Sequence, residues 1–162
     1  MQEVMRAILK MCFAAVAGLL FTGCQKAMTN ADMPGTWVAK KASQQKWIKG
    51  TNISQLVLGA DGTFTASVPD YMMKTFDKAS GQVVSGKGQW SLEPTRALAP
   101  LGIELTFSEV DGERRNTTIS HTLQAEREKQ GIELFFYVGE EGGNRFVFER
   151  GPDQAPAQSA EK

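Results

Sequence analysis

Residues 101–108, Leu-Gly-Ile-Glu-Leu-Thr-Phe-Ser, alternate strictly: Leu101, Ile103, Leu105 and Phe107 fall on one side, Gly102, Glu104, Thr106 and Ser108 on the other. A period of two gathers every apolar side chain on one face of an extended strand and leaves the other face to solvent. The pattern continues outward in both directions. Upstream, Leu56 and Leu58 precede the turn pair Asp61-Gly62, and Phe64, Ala66 and Val68 alternate with Thr63, Thr65 and Ser67 on the return. Val84, Gly86, Gly88, Trp90 and Leu92 share the next face. Downstream, after a second turn at Asp111-Gly112, Ile119, His121 and Leu123 align. Ile132, Leu134, Phe136 and Val138 follow, and then Phe146, Phe148 and Arg150. With Gly35-Thr36-Trp37-Val38-Ala39 in front, the count reaches eight strands. Half-buried strands joined by short turns predict an all-β antiparallel sandwich or barrel over 34–150. The near-identical hexapeptides at 102–107 and 131–136 are one strand recipe used twice, since two copies do not make a repeat architecture.

Composition narrows the chemistry. Lysine plus arginine equals aspartate plus glutamate at 18 each, without the basic excess of a nucleic-acid-binding surface. Two cysteines and one histidine leave almost no material for a metal cage or a disulfide framework, and no cofactor motif is present. The segment "SGKGQW" lacks phosphate-loop spacing and lies within a strand, not before a helix.

The N-terminus has a basic start at Arg6 and Lys10, an apolar core over 11–21, and then Thr22-Gly23-Cys24. Eleven apolar residues make a helix of about 16 Å, too short for a hydrocarbon layer of about 30 Å. Basic start, short apolar core and small residues before a cut are the layout of a secretory signal. The cysteine placement resembles the lipobox of bacterial lipoproteins, with Phe21 where leucine is usual. That resemblance implies cleavage before Cys24, acylation of Cys24, and an outer-membrane address on the periplasmic side, because Gln25 is not the aspartate that retains enteric lipoproteins at the inner membrane. Residues 1–23 are then a signal peptide, 24–33 a tether carrying the lipid, and 151–162 a disordered tail. Cys12 leaves with the signal, so Cys24 has no disulfide partner.

Eight alternating strands introduced by Gly35-Thr36-Trp37 resemble the lipocalin and calycin group of up-and-down barrels. The resemblance implies that Trp37 packs against a basic residue at the end of the last strand. Arg150 is the match, and the pair closes the barrel structurally. It also narrows the fold to an eight-stranded antiparallel barrel; the segment 70–78, with its apolar Tyr71, Met72, Met73 and Phe76, is a candidate short flap helix.

A barrel of this kind is expected to hold a small apolar or amphipathic ligand. Phe64, Trp90, Phe107, Phe136 and Phe148 are the candidate wall residues, and His121 the polar contact for a carboxylate or hydroxyl. The alternative for His121 is a core histidine satisfied by a neighbour. Gly86 and Gly88, inward beside Trp90, permit either sharp strand curvature or open interior space. Phe135 and Tyr137 face outward, which calls for cover from the 70–78 segment (Tyr71, Met72, Met73, Phe76) or for an envelope protein partner. No nucleophile–base–orienter set emerges, so no catalytic residues are assigned. The competing function is an envelope accessory or inhibitor protein with a filled barrel that acts through its surface.

Overall fold

In the computed structural model, residues 28–74, 78–93, 101–139 and 143–152 are described. The strands are β1 (Gly35–Ala39), β2 (Gln55–Leu58), β3 (Thr63–Pro69), β4 (Val83–Glu93), β5 (Leu101–Val110), β6 (Glu113–Glu128), β7 (Gly131–Val138) and β8 (Asn144–Arg150). They close into one up-and-down barrel, each strand antiparallel to its sequence neighbours and β8 returning to β1. The alternation allows a sandwich or a barrel; the structure is the eight-stranded, lipocalin-like up-and-down barrel to which the resemblance narrows it. One α-helix, α1 (Lys41–Trp47), and two 3-10 turns, Asn30–Asp32 and Asp70–Met72, complete the described elements. The signal segment, Cys24, Phe76 and residues 153–162 lie outside the described residues.

The inward faces are those the period of two assigns. Leu56, Leu58, Phe64, Val68, Ile103, Leu105, Phe107, Leu123, Leu134, Phe136, Phe146 and Phe148 are all buried. Each fully buried side chain of this size stabilises the fold by about 1.5–3 kcal/mol, which is why the pattern determines the architecture. Gly86 and Gly88 serve curvature and close approach, and do not open interior space. A Cβ on Gly86 would come within 2.7 Å of the Phe107 ring, and one on Gly88 would strike the Thr106 carbonyl. The volume above Gly86 is thus occupied by Phe107 and by Met73.

The two ends differ. At the lower end the chain enters through the Asn30–Asp32 turn, and Met33 is completely buried in the core with Met28 against it. The last part of the expected tether is therefore the plug of the barrel floor. The Trp37 indole N–H donates to the Met33 carbonyl at 2.9 Å. Trp37 and Arg150 are register partners, with the guanidinium carbon 4.0 Å from the ring centre. Arg150 also donates to the carbonyls of Pro34 (2.6 Å) and Asp32, tying last strand, first strand and plug together. Any side chain at Gly35 would occupy the guanidinium's position, which accounts for the glycine of the Gly-X-Trp triplet.

At the upper end α1 and the 70–82 connection meet, through Lys49 N–H on the Gly81 carbonyl (2.9 Å) and an edge contact of Trp47 with Tyr71. Asp70 organises that connection. Fully buried, its carboxylate accepts from Ser80 N–H, Ser80 Oγ and Gly81 N–H at 2.9 Å each, and pairs with Lys74 at 3.0 Å. Burial alone would raise its pKa, but these donors outweigh it and hold the carboxyl below the usual range. Met72 joins the core with Met73 against it, so the described part of this segment, 70–74, packs inward at the upper end and not over Phe135 and Tyr137. Phe135 is instead buried beneath the Arg145 guanidinium, 4.0 Å from its ring centre, and Arg145 is held by Glu126 at 2.8 Å. Tyr137 remains exposed.

The ladders are uneven. β5 and β6 pair along most of their length, with an irregularity that leaves Arg115, Asn116, Thr117 and Thr118 between two paired stretches. β6 and β7 pair only from Gln124–Phe135 down to Glu128–Gly131. Above that point Leu123 and the residues before it on β6, and Phe136 to the end of β7, have no ladder partner in each other.

Candidate functional site

The interior aromatic residues form two groups. Phe64 meets Phe107 edge-on at 4.9 Å between ring centres. Phe136 stacks on Phe146 at 5.3 Å, and Phe146 leans on Phe148 at 5.2 Å. Phe146, absent from the sequence-derived wall set, thus links two of its members. His121 joins the second group, its imidazole edge-on to Phe136 at 5.1 Å. Trp90 belongs to neither. Its indole N–H donates to the Gly59 carbonyl at 2.8 Å, and the residue lines a shallow lower-end cleft of about 450 Å³ with Asn30, Pro34, Asp61, Gly62 and Leu92. Trp90 pins the β2–β3 turn to the barrel floor.

His121 sits opposite Leu105 of β5, between Ile119 and Leu123 on the inward face of β6. Its height in the barrel is the one at which β6 has parted from β7. Burial follows the pairing: Leu123 and Ala125 are fully buried, whereas Ile119 and His121 are half-buried. Yet Nε2 itself is sealed from solvent and has no hydrogen-bond partner among the described residues. A buried, unsatisfied nitrogen costs about 1–3 kcal/mol, and native structures retain few of them. Desolvation lowers the His121 pKa to about 4, so the imidazole is neutral at neutral pH. It can accept or donate one hydrogen bond at Nε2, according to tautomer, but it offers no charge. Among the described residues no neighbour satisfies this nitrogen as it would in a core histidine.

Two further buried polar atoms lack partners among the described residues, Ser54 Oγ and Arg127 Nε. Arg127 shares the inward parity of His121 six residues along β6, at the lower end. Its position was legible from the alternation, but its unpartnered Nε was not. Among the described residues no group of three or more His, Cys, Asp or Glu side chains is placed to hold a metal, and no helix is long and apolar enough to cross a membrane.

The fold and this site define a small up-and-down barrel with a filled floor and, toward its upper end, a sealed polar atom without a partner among the described residues. No protein-family model matches the chain, and neither curated proteins nor solved structures give a significant match.

Proposed function

We propose that the chain is a lipid-anchored envelope protein that binds a small apolar or amphipathic ligand at the upper mouth of its barrel, with His121 as the polar contact. The observation that carries this reading is the sealed, unpartnered Nε2 of His121 in an apolar wall. The filled space above Gly86 restricts the ligand to the mouth and removes the deep aromatic pocket from consideration. Cys24 is the attachment point. Met28 already packs against the core, so four residue steps, at most about 14 Å of chain, separate the lipid from the barrel floor. The floor then faces the membrane and the mouth faces away from it.

Native mass spectrometry of the protein purified from its own envelope tests the binding reading: a bound small molecule retained by the wild type and lost from His121→Ala is expected. An empty barrel in both sinks it. The anchor is tested by globomycin, which should block processing; a Cys24→Ser chain that stays membrane-bound after washing refutes it.

The same filled interior supports a second reading, an accessory or inhibitor protein acting through its surface. Exposed Tyr137 beside Arg145 is the patch it would use. A Tyr137→Ala phenotype in the envelope combined with an empty barrel would favour this second function.

A further inference from the structure

The parting of β6 from β7 and the open valence of His121 occur at the same height, and together they specify a kind of ligand. From Gln124–Phe135 downward the two strands are joined by five cross-strand pairs; above it their facing backbone N–H and C=O groups carry no ladder bonds to one another. Exposed strand edges of this kind are normally paired, covered or blunted. Here the irregular stretch 115–118 limits the straight part of the β6 edge to about five residues, and β7 offers only Phe136, Tyr137 and Val138 opposite it, at the bottom of the usual range of strand lengths. A small molecule fits the gap better than a peptide does.

We infer that the β6–β7 gap is a lateral portal and head-group site for a single-chain amphiphile with an uncharged head bearing several hydrogen-bonding groups, such as a glycerol ester. The head bonds to His121 Nε2 and to backbone groups of β6 and β7 that make no ladder pairs with one another. The tail lies in the mouth, over Ile119, Val84, Val110 and Met73, which line the upper interior. The inference rests on the ligand-binding reading above and narrows it to one chemical class and one route.

The charge of the head follows from its surroundings. The inward side chains flanking His121 are Leu105 and Phe107 on β5, Ile119 and Leu123 on β6, and Phe136 and Val138 on β7. None is cationic, and His121 itself is neutral near pH 7. A carboxylate placed here would be desolvated without a counter-charge, at a cost that an uncharged head avoids. The uncharged head also uses what the site provides, which is one imidazole nitrogen and unpaired peptide groups.

The test uses the full lipidated chain with two probes of equal tail length, 1-monooleoylglycerol and oleate, at pH 7.5. Retention in native mass spectrometry and equilibrium binding are measured for wild type, His121→Leu and His121→Gln. The expected result is at least tenfold tighter binding of the glycerol ester than of oleate. His121→Leu should lose that preference tenfold or more, and His121→Gln should keep part of it. Equal or tighter oleate binding overturns the head-group assignment. Binding of neither probe, together with an empty native protein, overturns the ligand reading itself.

The route is tested separately. Continuing the β6–β7 register places exposed Thr122 beside exposed Tyr137. A Thr122→Cys/Tyr137→Cys chain joined by a short bis-maleimide should take up the ester at least tenfold more slowly than the same chain unjoined. An unchanged uptake rate overturns the lateral route.

Discussion

Titrating His121 should be visible as a loss of stability in a pH window where little else changes. Its imidazole goes from an ordinary 6.5 in the unfolded chain to about 4 in the barrel, because burial disfavours the charged form. The folded value lies below the unfolded one, so as pH falls the unfolded chain takes up the proton first and stability declines. The decline starts near pH 6.5 and ends near pH 4, with a limiting slope of about 1.4 kcal/mol per pH unit. Between pH 7 and 4.5 it amounts to about 2 kcal/mol, a large part of the margin of a small domain. The two carboxylates with displaced values do not interfere. Asp70 and Asp61 are both held below their ordinary 3.8, so their contributions disappear only in more acidic solution. The assay is equilibrium urea unfolding followed by tryptophan fluorescence at pH 7.0, 6.0, 5.0 and 4.5. Wild type should lose about 2 kcal/mol across the series. His121→Leu removes both the titrating group and the unsatisfied nitrogen, so it should be at least as stable as wild type at pH 7 and nearly flat down to pH 4.5. A wild-type profile flat over this range, or a variant that declines with the same slope, would refute a sealed neutral imidazole.

Other substitutions probe the ends and the wall. Asp70→Asn leaves buried donors of Ser80 and Gly81 facing an amide, and should cost about 2–4 kcal/mol in denaturant unfolding; a loss below 1 kcal/mol would show that the upper connection is held by its methionines instead. Gly86→Ala drives a methyl into the Phe107 ring and should cost about 1–3 kcal/mol, with Phe107→Leu in the same chain recovering part of it. Additive losses would mean that the ring is not what fills that space. Arg150→Met keeps the length of the side chain but removes the charge over Trp37 and the bonds to the plug, for a loss of about 1–3 kcal/mol with a change in tryptophan emission. An unchanged midpoint would place floor closure in Met33 alone.

What could be read in advance was whatever had a period. Eight strands and their inward faces follow from alternation, because burial on one face of a sheet repeats every second residue. Features without a period were hidden. In α1 (Lys41–Trp47) only Ser43 is buried; the helix is seated by polar bonds, Ser43 Oγ accepting from Val147 N–H and Gln44 Oε1 from Ser54 N–H. Met33 is a single apolar residue in a polar stretch, and nothing in its neighbours distinguishes a plug from a tether. The first residues of β6, Glu113 through Thr118, are exposed on both faces and carry no alternation, although they are strand. The unpartnered state of His121 depends on where a neighbouring ladder ends, which no pattern within β6 records.

Parity also fails to report height, and this is why the six inward residues His121, Trp90, Phe64, Phe107, Phe136 and Phe148 do not form one site. Trp90, Leu105 and His121 lie in one cross-strand row over β4, β5 and β6. In a sheared barrel such a row is inclined to the axis and climbs as it passes from strand to strand. At β4 it is at the floor, where the Trp90 backbone N–H donates to the Gly62 carbonyl at 2.7 Å. Two strands later it has risen to the level where β6 and β7 separate. Neighbours in register therefore serve opposite ends: the indole closes a turn, and the imidazole lies beside the end of the β6–β7 ladder. Shear places a polar atom toward the upper end without breaking the apolar alternation of the strand that carries it. There Nε2 is sealed and has no partner among the described residues, which is the observation on which the proposed ligand contact rests.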